Sequence, residues 1–407
     1  MSPAASAEFP PDNRRFHENV TGHWHAVPCS LICRQERTGK TSVKRWLNVL
    51  ALTVVAAPGM AAEQGLPAAD WIERVQLQGD LRLRQENVDA EGKPDISRQR
   101  LRARVALDVG IDHHITVGLG LATGGDNPVS SNYTFGDGFS RQDMRLDLAF
   151  VDWSAAPDLH VIGGRMKNPF HRPGDNGLAW DADLRLEGAA IHWDNGTLFA
   201  VGSLFTPAMD AQGSSRHMAG VQAGGRLRLP GALRLTLGAS YYDLDDLEDR
   251  SLLYSPDNAH GNTVRTDAAG VLVYATDFRT VEAFAELAMT VAGLPATVFY
   301  DRVDNAATGH LDVGWAVGFT LGDTATKGSW ALRYVYEDLE ADAMPGPFTD
   351  SSFGGGGTDA RGHVFGGAYA LTDRVNVALT WFSNETGQST GTGRDYERLQ
   401  VDLNLKY

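Results

Sequence analysis

The chain ends Asp395-Tyr-Glu-Arg-Leu-Gln-Val-Asp-Leu-Asn-Leu-Lys-Tyr407. Leu399, Val401, Leu403, Leu405 and Tyr407 share one parity; Arg398, Gln400, Asp402, Asn404 and Lys406 share the other. Alternation of period two puts the two sets on opposite faces of a β-strand. A strand of a soluble sandwich alternates in the same way, but here the pattern runs to the last residue and that residue is aromatic. A transmembrane barrel closes on such a strand, with its apolar face to lipid, its polar face to a lumen and an aromatic at the membrane edge.

Upstream, no helical period outlasts a turn or two. Segments of roughly ten alternating residues recur instead. They are Arg74–Glu86, Ile96–Gly110, His114–Thr123, Asp143–Trp153, Asp158–Arg165, Asp183–Trp193, Thr197–Phe205 and His217–Leu229, then Ala232–Tyr242, Asp277–Val291, Ala296–Asp304, His310–Leu321, Ser329–Asp338, Gly362–Leu371, Arg374–Asn384 and Asp395–Tyr407. Asp143–Trp153 and Asp183–Trp193 change parity midway, which predicts a bulge in each. The connections alternate in length. Short turns such as Asp194-Asn195-Gly196 and Pro230-Gly231 follow the even segments, and links such as Gly124–Gln142, Met166–Ala182, Asp243–Thr276 and Leu339–Arg361 follow most odd ones. A barrel with short turns at one rim and long loops at the other has this distribution. Trp153, Trp193, Tyr241, Trp330, Tyr334, Tyr336, Trp381 and Tyr407 fall near segment ends, as the two interfacial girdles require. The expected fold is all-β: a transmembrane antiparallel β-barrel of about 16 strands over residues 74–407, with both termini on the periplasmic side.

The N-terminus reads as an export signal. Lys44 and Arg45 precede the apolar run Leu47–Ala57, and Gly59-Met60-Ala61 offers small residues for cleavage. About 12 apolar residues are too few to span a bilayer as a helix. Residues 43–62 are therefore expected to be the signal peptide and 63–73 a short periplasmic lead. Residues 1–42 are a polar extension that fits a misplaced start site, with Val43 as the true start. Both cysteines, Cys29 and Cys33, lie in it, so the mature barrel has neither disulfide nor cysteine-bound metal, and no cofactor is expected.

The full chain has 36 Lys and Arg against 51 Asp and Glu. Residues 1–62 carry seven of the first and four of the second, leaving 29 against 47 and a mature net charge of −18. So acidic a chain is a poor nucleic-acid binder.

The most informative polar feature is basic. Arg82 and Arg84 share a face, and so do Arg98, Arg100, Arg102 and Arg104. Each arginine would cost about 2–4 kcal/mol facing lipid at the midplane, so the ladder must face the lumen. Candidate pore-lining partners are Asp80, Asp108, Asp143, Asp147, Asp183 and Glu187, with Arg145, Arg185, Arg226, Arg228 and Arg234 continuing the inward basic set. The ladder can form a charged eyelet, or cross-strand ion pairs that brace the wall, or both. The net charge argues for a cation preference and the ladder argues against it. The link 166–182 carries Lys167, His171, Arg172, Asp175 and Asp181 among aromatic residues. It could fold into the lumen as a constriction, although a surface loop with its own packing is the simpler expectation. Asp243–Asp249 lacks the spacing of a calcium loop, and Gly354–Gly357 reads as flexible extracellular chain. His217, His310 and His363 stand alone and no GxSxG elbow is present, so no enzyme is expected.

Gly79-Asp-Leu-Arg-Leu-Arg84, Arg98-Gln-Arg-Leu-Arg-Ala-Arg-Val105, Leu121-Ala-Thr-Gly124, Asp126-Asn-Pro-Val129, Gly136-Asp-Gly-Phe139, Gly164-Arg-Met-Lys-Asn-Pro-Phe170, Trp180-Asp-Ala-Asp-Leu184 and Glu187-Gly188 together resemble the Gram-negative "putative porin" family. The resemblance covers 74–407 and is densest over 79–190. It implies an outer-membrane channel for passive diffusion of small hydrophilic solutes and transfers no catalytic residue or substrate. The partners expected on this reading are outer-membrane lipid and lipopolysaccharide, the barrel-assembly machinery through Leu399, Val401, Leu403, Leu405 and Tyr407 of the closing strand, and the permeating solutes. A homotrimer is compatible with such a barrel but is not written in the sequence. Two alternatives stay open: a substrate-specific channel for an oligosaccharide or organic anion, and a plugged barrel serving structure or adhesion.

Overall fold

The computed structural model describes residues 74–209, 215–244 and 246–407. The expected extension, signal peptide and periplasmic lead lie outside the described residues. Sixteen long strands pair antiparallel with their sequence neighbours, and the last pairs with the first. They are β1 (Val75–Ala90), β2 (Ile96–Gly110), β3 (Ile115–Thr123), β4 (Met144–Ala156), β5 (Leu159–Lys167), β6 (Arg185–Asp194), β7 (Leu198–Met209), β8 (Ser215–Leu229), β9 (Leu233–Leu244), β10 (Phe278–Val291), β11 (Leu294–Asn305), β12 (Val313–Gly322), β13 (Trp330–Leu339), β14 (Ala360–Thr372), β15 (Val375–Thr386) and β16 (Arg394–Lys406). Closure is required because an open edge in lipid strands backbone donors and acceptors at several kcal/mol each. The seam sets Arg84 opposite Asp402, and Gly79 and Tyr407 exchange two backbone hydrogen bonds of 3.1 Å.

Parity sorts the wall as alternation requires. Outward positions carry apolar side chains left bare for lipid, such as Leu77 at 62% and Val221 at 56% exposed. Trp153, Trp193, Trp330 and Tyr407 lie toward the short-turn rim and Tyr241 and Tyr336 toward the long-loop rim, as two belts require, whereas Tyr334 and Trp381 fall at the middle of their strands. The long connections 124–143, 168–184, 245–277 and 340–359 all leave from one rim. Strands outrun the sequence pattern there. Val88 pairs with Ile96, which shortens the first link to 91–95, and β7 and β8 leave only 210–214 between them.

The bulge expected in Asp143–Trp153 is present as a register shift where Gly120 and Leu121 face Leu148 and Leu146. The one expected in Asp183–Trp193 is not: β6 pairs with β5 and β7 without a shift. Asp183 and Leu184 belong instead to the preceding loop, and β6 keeps one parity through Gly188, φ +148°, with Leu186 and Ala190 both buried on its inward side.

The apolar core lies inside the barrel, where two loops meet the wall. Trp180 stacks between Phe170 at 5.7 Å and Phe348 at 5.8 Å, with the edge of Tyr242 at 5.0 Å. An aromatic ring buries about 150–250 Å², and here loop and wall rings bury one another. Residues 340–359 are packed in the same way. Phe348 and Phe353 are buried, and the Gly354 amide donates to Asn384 Oδ1 at 3.0 Å. The glycines there serve close packing and not the loose chain their composition suggested. A third loop holds this one: Asn262 Nδ2 donates to the carbonyls of Ala341 at 2.6 Å and Met344 at 2.8 Å.

Candidate functional site

The lumen has two unlike walls. On β1, β2 and β16 the inward positions are arginines interleaved with carboxylates. Arg84 grips Asp402 through two hydrogen bonds of 2.6 and 2.7 Å, the forked geometry that makes such pairs strong. Glu86 is fully buried and takes Arg98 at 2.5 Å, Arg398 at 2.5 Å and Arg100 at 3.6 Å. Asp80 takes Arg102 at 2.9 Å and Arg104 at 2.7 Å, and Asp183 reaches the same two arginines at 3.5 and 3.1 Å. A buried carboxylate without cations would be too costly to keep ionised, and Glu86, Asp80 and Asp183 are each shared by two or more arginines.

On β8, β10 and β11 the inward groups under the 168–184 loop, Gln222, Glu286 and Asp301, are acidic or neutral, while Arg216 and Arg226 of the same face sit toward the two ends of β8. The Gly174 amide donates to Glu286 at 2.8 Å, Asn176 Nδ2 to Asp301 at 2.9 Å, and the His171 amide to Gln222 at 2.7 Å. Arg333 of β13 donates to the Gly174 carbonyl at 2.5 Å. Gly174 has φ +56° and presses on Phe299, so that a Cβ would run into the ring. The loop is thus seated inside the barrel and is not the surface loop its sequence favoured. Its hydrogen-bonding partners on the wall are far apart in sequence and carry no signal of their own.

Residues 340–359 close over the seated loop. The Asp181 amide donates to the Phe348 carbonyl at 2.7 Å, the Asp350 amide to Gly177 at 3.1 Å, and the Ser351 amide to Asp181 Oδ2 at 2.8 Å. Burial, then the neighbouring Asp350 and Asp183 carboxylates, raise the Asp181 carboxyl to about 7.

Three cavities run along the arginine wall between rims. The loop-side one, about 330 Å³, is lined by Lys93, Arg98, Arg100 and Arg398 and by no carboxylate. The middle one, about 150 Å³, sets Arg82, Arg84, Arg102 and Arg172 against Asp175, Asp181, Asp183 and Asp350. The turn-side one, about 540 Å³, has Arg102, Arg104, Lys167, Arg185 and Lys406 against Asp80 and Asp147. Asn132, Ser351 and Ser352 line both of the first two, and Arg102 both of the last two.

The structure therefore gathers Arg82, Arg84, Arg98, Arg100, Arg102, Arg104, Asp147, Asp183 and Arg185 with Lys167, Arg172, Asp175 and Asp181 around one string of cavities. Other candidates lie off it. Asp108 accepts from Gln78 at 2.8 Å. Arg145 pairs with Asp126, with Asp143 at 4.0 Å, and Glu187 pairs with Arg165. His171 sits between the rings of Phe199 at 5.7 Å and Phe284 at 5.2 Å. Sequence reading missed Glu86, Asp402 and Arg398. The last two are on the polar face of the closing strand, and antiparallel closure onto β1 would have brought them to the ladder.

A family model described as "Putative porin" matches residues 89–271 and 265–407. No relative of curated function matches the chain. Among solved structures, OprB of Pseudomonas putida is similar with a TM-score of 0.54 and 11% identity, over 83% of this chain and 95% of its own. A triple mutant of the Rhodopseudomonas blastica porin is similar at 0.49 and 14% identity, over 82% and 100%. OmpT of Vibrio cholerae is similar at 0.46 and 11%, over 82% and 99%. With a family match across most of a closed barrel whose charged residues face inward, the chain belongs to the "putative porin" family and is an outer-membrane β-barrel channel of a Gram-negative bacterium.

Proposed function

We propose that this porin passes small hydrophilic solutes along its arginine wall and prefers anions. The observation that carries the reading is the lining of the loop-side cavity: four cationic side chains and no carboxylate, in a chain whose formal charge is −15. The Coulomb field of a narrow, partly desolvated passage is set by the charges beside it, because distant exposed charges are screened within about 8–10 Å. The acid wall supports the same reading, since its carboxylates accept from loop donors and are turned away from the path. The 168–184 loop, with Arg172, Asp175 and Asp181, narrows the middle of that path.

An oligosaccharide channel would need inward aromatics along its track. Phe199, Phe284 and Phe299 do point inward, but they are buried, beneath the loop rather than beside the cavities. A plugged structural barrel has one observation in its favour, the three loops folded into the lumen. Liposome swelling with the refolded mature chain separates the readings. Uptake of small anionic solutes ahead of cations of equal size is expected, and impermeable vesicles carrying a heat-modifiable, folded barrel would overturn the channel in favour of the plug. On this proposal lipid and lipopolysaccharide contact the outward apolar band, the closing strand is what the assembly machinery handles, and a homotrimer is the assembly state to look for.

A further inference from the structure

The arginines of the middle cavity are not equivalent. Arg84 is engaged by Asp402 at both ends of its fork, and Arg102 by Asp80 and Asp183. Arg172 donates to the Trp180 carbonyl at 3.0 Å and lies 4.0 Å from Asp175. Arg82 makes one hydrogen bond among the described residues, to the neutral Asn132 Oδ1 at 2.7 Å. Among the described residues no carboxylate oxygen is within ion-pair distance of it, and its Nε–H is buried without an acceptor. Arg100, diagonal to it on the paired strand, also has a buried Nε–H without an acceptor. Asn132 and Ser130, joined at 3.1 Å, hold the two guanidiniums from one short segment.

A buried donor left unmade costs about 1–3 kcal/mol, and more when it belongs to a charged group. Both Nε atoms are closed to solvent, so an anionic oxygen in the cavities would meet the rest of each guanidinium and gain charge-assisted hydrogen bonds there. The place is also the seam between two cavities, so an anion can reach it from the cationic loop-side vestibule.

We propose that Arg82, with Arg100 above it, forms a binding subsite for a small oxyanion of the phosphate class in the throat of the channel. The inference rests on the reading of the arginine wall as the permeation path. It goes beyond that reading by naming a saturable site where a smooth positive lining would give only attraction. Arg84 and Arg102 already have their carboxylates and serve as the frame.

The test uses the refolded mature chain and inorganic phosphate. In planar bilayers, phosphate replacing chloride at constant ionic strength should lower the current along a saturable curve. Arg82→Gln should weaken that block on the order of tenfold, the size of one lost charge-assisted hydrogen bond, whereas Arg361→Gln, at the rim and off the three cavities, should leave the block unchanged. Arg82→Lys keeps the charge without the forked guanidinium and should retain only part of the block. Acetate in place of phosphate should block weakly, and equal block by the two would overturn the phosphate class. A linear, unsaturated response, or the same block in wild type and Arg82→Gln, would overturn the subsite. If no current flows at all, line broadening of the phosphorus-31 signal in detergent reports binding directly. Broadening that Arg82→Gln removes would keep the subsite while the path reading fails, and no broadening would overturn the subsite.

Discussion

The inner faces of β1, β2 and β16 and of β10 and β11 follow the same alternation and meet opposite fates. On the first, cations and carboxylates pair within the wall and the surplus arginines line the cavities. On the second, Glu286 and Asp301 accept hydrogen bonds from the amide of Gly174 and the side chain of Asn176, and a loop covers them. A net charge of −15 therefore says little about what a permeating ion meets. What matters is which charges are left facing the path after the loops have settled.

The largest test of this contrast is Glu86→Gln. It leaves Arg98, Arg100 and Arg398 around a neutral amide, and breaking a buried ion pair from one side costs about 3–5 kcal/mol. A large fall in the urea midpoint of the folded barrel in detergent is expected, whereas an unchanged midpoint would mean the arginine wall does not depend on its shared carboxylates. Asn176→Ala attacks the other wall. It leaves Asp301 without its donor, for about 1–3 kcal/mol, and should loosen the seated loop. Larger single-channel steps with a barrel of near-normal unfolding midpoint are the expected result, and unchanged steps would mean the loop does not limit the path.

The sequence made the barrel legible because outward and inward positions obey one period and the long links share a rim. Sixteen segments, the bulge near Leu146 and the inward ladder could be read that way. The seated loop could not. Its anchors, Gln222, Glu286 and Asp301, lie on three strands, and whether Trp180 packs at a surface or in a lumen depends on Phe348, far along the chain. The parity change expected in Asp183–Trp193 is absent because Asp183 and Leu184 belong to the loop and Glu187 is exposed against Arg165 and not turned inward.

A smaller effect is expected from pH at the junction of the two loops. Asp181 is raised to about 7 by burial, with Asp350 and Asp183 beside it and Arg82, Arg84, Arg102 and Arg172 lining the same cavity. A carboxyl raised in the folded state stabilises that state fully below the ordinary carboxylate range and loses the effect as pH rises through about 7. Conductance should therefore increase between pH 6 and pH 8, as about one unit either side of that value requires, and Asp181→Asn should flatten the change; an equal rise in that variant would remove Asp181 from the account. The smallest effect belongs to the half-exposed pair Arg361 and Glu385, 2.8 Å apart. Arg361→Ala should change the unfolding free energy from urea titration by no more than about 1 kcal/mol, and a larger loss would mean that rim charges carry the stability of the lumen pairs.

The most direct test of the central claim is the reversal potential of the open channel under a potassium chloride gradient. A sign showing chloride more permeant than potassium is predicted, because the path keeps its arginines and the acid wall is covered. Potassium preference would contradict the account and return selectivity to the net negative charge of the chain.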